Sequence, residues 1–162
     1  MNIPMNEDTL PIILDRSRDT DTSMRKLVYE VLSRHVIEKE DDGEGYLGVT
    51  HPRALSVAHR EFIVRNGLGD REAVVRAIAA NLMATWVDAA IVKDESVDIK
   101  PNELPKERIE DGVVSFLTLF DLQHGMDVAV DALLSVFKAK AEVFENIEFD
   151  GDLNLSDAVQ SC

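Results

Sequence analysis

The sequence has little cysteine and no long uninterrupted apolar run. Cys162 is the single cysteine among 162 residues, so no disulfide can form within the chain. The longest apolar stretch, residues 73–92, is interrupted by Arg76, Asn81 and Asp88. A helix that crosses a membrane needs about 20 consecutive, predominantly apolar residues. These absences exclude a scaffold held by internal disulfides, and we expect no membrane span.

A secretory signal is also missing from the sequence. Residues 1–21 contain five acidic side chains and lack a basic segment followed by an apolar one. The absence of internal disulfides fits a reducing compartment. We therefore expect a cytoplasmic protein.

Sequence motifs of common enzyme classes are absent as well. There is no Gly-x-Ser-x-Gly elbow and no phosphate-binding loop, and Gly67-Leu68-Gly69 lacks the third glycine of a dinucleotide fingerprint. We expect no catalytic residues and no bound cofactor. The sequence favours a protein that is not an enzyme.

Basic residues are scarce relative to acidic ones. The chain has 17 Lys and Arg residues against 31 Asp and Glu residues, which gives a net charge of −14. Such a charge repels phosphate backbones and anionic lipids, so we expect neither direct nucleic-acid binding nor membrane binding. The acidity has two interpretations: it keeps the protein soluble, or it matches a basic partner surface or imitates nucleic acid.

Apolar residues make up 45% of the chain, which is enough for a core in one domain. They recur every three or four positions, a period typical of amphipathic helices. The sequence predicts an all-α fold, a bundle of about five helices around a central apolar helix at about residues 71–92. We expect a flexible or docked N-terminal arm (1–21), a helical domain (22–146) and a flexible, acidic C-terminal tail (147–162).

Start and stop signals predict where the helices begin and end. A capping residue, a proline in the first turn, or a glycine just past the last turn marks most of the boundaries. The predicted helices begin after Asp21, at Thr50-His51-Pro52, at Asp70, at Pro105 and near Asp127; the second ends at Asn66-Gly67, the fourth at His124-Gly125 and the fifth near Asn146. The short link between the last two predicts an antiparallel hairpin.

The central helix is apolar on nearly every side, so it is either enclosed by other helices or forms a subunit interface. Trp86 lies on one of its apolar faces. Asn81, Thr85 and Asp88 form a polar line along it. The simplest interpretation is that the two ends of the helix face solvent on different sides. The alternative is a buried polar network at a subunit contact.

Two sets of side chains could form a metal site, which is an alternative that the sequence allows. His35, His59, Asp121 and His124 lie on predicted helices and could converge on one ion, although each is also explained by packing or by the helix dipole. The second set is Glu107, Glu110 and Asp111, which could point toward magnesium, with Asp127 and Asp131 as poor partners. We expect no metal site.

The function that we predict is a non-catalytic, acidic helical accessory protein that binds proteins and self-associates. The all-round apolarity of the central helix motivates this prediction, because a symmetric partner would cover it. One alternative is an acidic inhibitor or assembly chaperone, possibly a nucleic-acid mimic, that binds a basic partner surface. The other is a metal-dependent hydrolase of the helical-bundle type.

Overall fold

A computed structural model describes residues 5–39, 45–91 and 106–141. These ranges contain six α-helices, a single 3₁₀ turn and a short antiparallel hairpin. In chain order the elements are α1 (Leu10–Asp15), the 3₁₀ turn (Arg16–Arg18), α2 (Thr22–Arg34), β1 (Ile37–Lys39), β2 (Gly45–Leu47), α3 (Val57–Leu68), α4 (Ala73–Ile91), α5 (Lys106–Leu117) and α6 (Met126–Ala139). The hairpin pairs Ile37 with Leu47. The prediction of an all-α bundle is confirmed.

Helix α4 forms the centre of the described bundle. It packs against α2, α3, α5 and α6. Its fully or nearly fully buried side chains are Val75, Ala79, Leu82, Met83, Ala84, Trp86 and Val87. The prediction of one central apolar helix is therefore confirmed. No helix in the described ranges is long and apolar enough to span a membrane.

The segment assigned to an N-terminal arm contains helix α1, which the sequence analysis did not predict. Leu10 and Leu14 on α1 are buried in the core. Pro11 lies in the first turn of α1, where the missing N–H breaks no helical hydrogen bond. This helix brings the described total to six.

Helix α3 begins and ends later than the sequence predicts. Its N-cap is Ser56, whose hydroxyl accepts a hydrogen bond from the N–H of His59 at 3.1 Å. Pro52 lies in a preceding turn rather than in the first helical turn. Gly67, predicted as the stop, is buried within the helix. A Cβ atom there would stand 2.6 Å from the Cβ of Ala79, so this glycine permits close contact between α3 and α4.

The last two helices do not form the predicted tight hairpin. Helix α5 ends at Leu117 instead of at Gly125, and turns occupy most of residues 118–125. Phe116 and Phe120 pack edge to face, with ring centroids 5.5 Å apart, and fix this connection to the core. Helix α6 packs chiefly against α4 and α3. Residues 142–146 of the predicted fifth helix and the predicted tail, 147–162, lie outside the described residues.

Candidate functional site

Helices α3, α4 and α6 form an open groove of about 830 Å³ on the surface of the bundle. We call it the α3–α4–α6 groove. Its apolar lining side chains are Val64, Leu68, Ala77, Ala80, Val128, Leu134 and Ala139. Leu134, one of these lining residues, is 42% exposed.

Three basic side chains and one acidic side chain border the groove. Arg65, Arg76 and Lys138 are exposed, as is Asp131. Arg65 pairs with the carboxylate of Asp127 at 3.1 Å, and this pairing lowers the pKa of Asp127. The groove therefore has an apolar floor and a rim with an excess of positive charge.

Arg76 is held in place without losing its charge. Its Nη1 donates to the backbone carbonyl of Asp70 at 2.6 Å and to that of Arg71 at 2.9 Å. Carbonyl oxygens fix the guanidinium but carry no net charge, so the positive charge of Arg76 remains available to a ligand.

A buried ion pair fixes the start of α4 and therefore the position of Arg76. The Nε and Nη2 atoms of Arg25 donate to the carboxylate of Asp70 at 2.8 and 3.1 Å, and both side chains are 5% exposed. The same carboxylate accepts the N–H of Glu72 at 2.8 Å. The hydrogen bonds from Arg25 hold the pKa of Asp70 below its usual value, although burial acts in the opposite direction.

Tyr29 joins α2 to α3 behind the groove. Its hydroxyl donates to the backbone carbonyl of Ile63 at 3.0 Å. Burial raises the pKa of Tyr29, so the hydroxyl stays protonated and continues to donate. The adjacent residue, Val64, contributes to the groove floor, which is thus supported by a fixed backbone.

The polar line on α4 faces solvent at both of its ends. Asn81 is exposed and lines the groove, and Asp88 is exposed and forms an ion pair with Lys140. Thr85, between them, donates its hydroxyl to the backbone carbonyl of Asn81 at 3.0 Å. These contacts agree with solvent exposure of the polar line rather than with a buried network.

The structure does not bring the candidate metal ligands together. Asp121 and His124 interact at 2.9 Å, and this hydrogen bond lowers the pKa of Asp121. Neither His35 nor His59 joins them, since the described residues contain no cluster of three or more potential ligands. Glu110 and Asp111, from the set proposed for magnesium, are exposed. The absence of a metal site in the protein stays a prediction.

Charge is distributed unevenly between the described ranges and the remainder of the chain. The described ranges contain 15 basic and 17 acidic residues, whereas residues 1–4, 40–44, 92–105 and 142–162 contain 2 and 14. The described body is therefore close to neutral. The prediction of no nucleic-acid binding rests on the net charge of the whole chain. That net charge does not describe the surface of this nearly neutral body.

Sequence reasoning did not identify the groove. Arg76 was noted only as an interruption of an apolar helix, Asn81 as an interruption and as part of a polar line, and Asp131 only as a poor magnesium ligand. The one available signal was that polar residues break the apolar surface of α4 early in the helix. That signal does not reveal which other helices flank these residues.

Comparison with known proteins finds relatives that all have the same name. The chain is similar to Condensin complex subunit 3. It is 29% identical over 150 residues to the protein of that name from Schizosaccharomyces pombe, covering 92% of this chain and 14% of the relative. The human protein of the same name is 28% identical over 130 residues, covering 80% of this chain and 10% of the relative.

The same similarity extends to a third organism. The Xenopus laevis protein is also 28% identical over 130 residues, which cover 80% of this chain. The chain spans only 9% to 14% of the length of these three relatives. No family model matches the chain, and no solved structure matches it.

These relatives correct the function predicted from the sequence. They are named as subunits of a condensin complex, which contradicts a self-associating acidic accessory protein, an acidic inhibitor or assembly chaperone, and a metal-dependent hydrolase. The prediction of a cytoplasmic protein is also contradicted by the similarity to these condensin subunits. The coarser expectation of protein binding agrees with relatives that are subunits of a complex. The absence of nucleic-acid binding stays a prediction.

Proposed function

We propose that this chain is a protein-binding helical module of a condensin-type complex and that it acts on chromosomes in the nucleus. The observation that carries this proposal is the similarity to Condensin complex subunit 3 over 92% of the chain. Because the chain covers so little of the relatives, the proposal concerns a module within such a subunit.

The surface of the described body supports a binding role. The α3–α4–α6 groove combines exposed apolar side chains with a charged rim, a composition typical of surfaces that bind other proteins. The helices that form it are held together by a buried core that includes Trp86 and Val128. A rigid groove loses little conformational freedom when a partner binds.

Affinity purification of the tagged full chain from nuclear extract tests this proposal. We expect the other condensin subunits to be recovered well above the level of a tag-only control, when both are quantified by mass spectrometry. Recovery of those subunits at the control level would refute the proposal.

Imaging of a fluorescent fusion of the full chain tests the proposed location. We expect it to be enriched on chromosomes relative to the fluorescent tag alone. A fusion that is excluded from the nucleus contradicts this part of the proposal.

A further inference from the structure

We infer that the α3–α4–α6 groove binds an acidic amphipathic helix supplied by another protein subunit. This inference rests on the proposed function, since it names the chemistry of a partner segment for a module that binds proteins. The groove, the charge of its rim and the fixed position of Arg76 each support it.

The floor of the groove suits the apolar face of a helix. Ala77 and Ala80 on α4 have small side chains, so a partner can approach the α4 backbone closely. Leu134 on α6 and Leu68 on α3 also line the groove. Grooves of this kind bind helices whose apolar side chains recur at i, i+3, i+4 and i+7. Extended phosphate backbones carry no apolar face and would leave this floor uncovered.

The rim selects for acidic flanks on the bound helix. Arg76 and Lys138 lie on α4 and α6, whereas Asp131 is the one acidic residue that lines the groove among the residues that the structure describes. Among the described residues, Arg76 meets only backbone carbonyls, so an incoming carboxylate gains an anchored, charged donor. A basic helix would meet like charges from both α4 and α6.

A peptide-binding measurement on the full chain tests the inference. The probe is a fluorescein-labelled synthetic peptide with Leu at i, i+3, i+4 and i+7 and mainly Glu elsewhere, and binding is followed by fluorescence anisotropy. We expect saturable binding, and binding at least about tenfold weaker for a peptide with Lys in place of Glu. A scrambled peptide of the same composition controls for spacing, and we expect it to bind weakly.

Charge reversal in the groove provides the matched variants. The double variant Arg76→Glu and Lys138→Glu should weaken binding of the Glu peptide by about tenfold or more. The control variant, Lys26→Glu and Arg53→Glu, makes the same change in net charge at one partly exposed and one exposed residue outside the groove and should bind as the unaltered chain does. Circular dichroism of both variants establishes that they fold.

Three results would overturn the inference. The first is equal binding by the groove and control variants. The second is that the peptide does not bind, whereas a fluorescent DNA duplex binds and its binding depends on Arg76 and Lys138. The third is peptide binding seen only when the six acidic residues of 142–162 are replaced by amides, because the groove would then hold a segment of this chain.

The affinity purification separates this inference from the function on which it rests. If condensin subunits are recovered but the peptide does not bind, the groove assignment fails and the proposed function stands. If the peptide binds in the groove but no condensin subunit is recovered, the proposed function fails.

Discussion

Asp70 connects α2 to the start of α4 through one carboxylate. It accepts two hydrogen bonds from Arg25 on α2 and one from the N–H of Glu72, just before α4 begins. Nη1 of Arg25 also donates to the carbonyl of Asp19 at 2.9 Å, which fixes the chain before α2. Since this ion pair is nearly excluded from water, removal of either partner leaves a charge without compensation.

The ionisation of Asp70 predicts how stability depends on pH. Its pKa in the folded protein lies below the ordinary value of 3.8, so the unfolded chain binds the proton more readily. The ion pair therefore stabilises the protein fully above that value, and the stabilisation is lost as pH falls through the folded pKa. We expect Asp70→Asn to be less stable at neutral pH, and the difference from the unaltered protein to shrink between about pH 5 and about pH 2.

Urea unfolding at several pH values measures this difference. The control variant is Asp127→Asn, whose side chain is 66% exposed and pairs with Arg65 at the surface. We expect a much smaller loss for this control at neutral pH, because exposed ion pairs contribute little. A loss for Asp70→Asn that stays constant over the whole pH range contradicts the proposed role of its ionisation.

At the scale of elements, α4 shows what a sequence pattern can establish. Its apolar residues continue around the whole helix, so its burial follows from the sequence without knowledge of its neighbours. The structure adds that Trp86 is fully buried. Among the described residues, its indole N–H has no hydrogen-bond acceptor.

Truncation of Trp86 tests the importance of this helix for stability. We expect Trp86→Ala to lower the free energy of unfolding by about 3–5 kcal/mol, because a large buried ring is replaced by a cavity. Trp86→Phe should lose less, since phenylalanine refills part of the volume and removes the unsatisfied N–H. Chemical denaturation gives both values. A loss under about 1 kcal/mol for Trp86→Ala would show that this side chain does not anchor the core.

The boundaries of α3 show where local signals fail. Proline and glycine are common at helix ends, so the sequence predicts that this helix begins at Pro52 and ends at Gly67. In the structure Pro52 lies in a turn, and Gly67 is needed within the helix because Tyr29 and Ala79 lie too close for a Cβ atom. That requirement comes from residues far away in the sequence, so a local pattern cannot show it.

The groove could not be predicted for a related reason. Arg76, Asp131 and Lys138 each have the sequence context of an ordinary exposed helix residue. Only the packing of α6 against α3 and α4 places them around one apolar floor. Composition and periodicity identify which residues are buried, but they do not identify which exposed residues share a surface.

At the scale of the whole molecule, the net charge gave a misleading description of the surface. Of the 31 acidic residues, 14 belong to ranges outside the described body, and only 2 basic residues accompany them. An average over the chain therefore made a nearly neutral body look strongly acidic. The acidic inhibitor or assembly chaperone that was inferred from this average is contradicted by the similarity to Condensin complex subunit 3, whereas the absence of nucleic-acid binding stays a prediction.

Cross-linking mass spectrometry of the purified assembly most directly tests whether this body carries a binding face for another subunit. Lys138 borders the groove, and Lys26 lies on α2, outside it. We predict cross-links from Lys138 to another condensin subunit and markedly fewer from Lys26. Cross-links from Lys138 that stay within this chain, or equal numbers from both lysines to other subunits, would contradict the account.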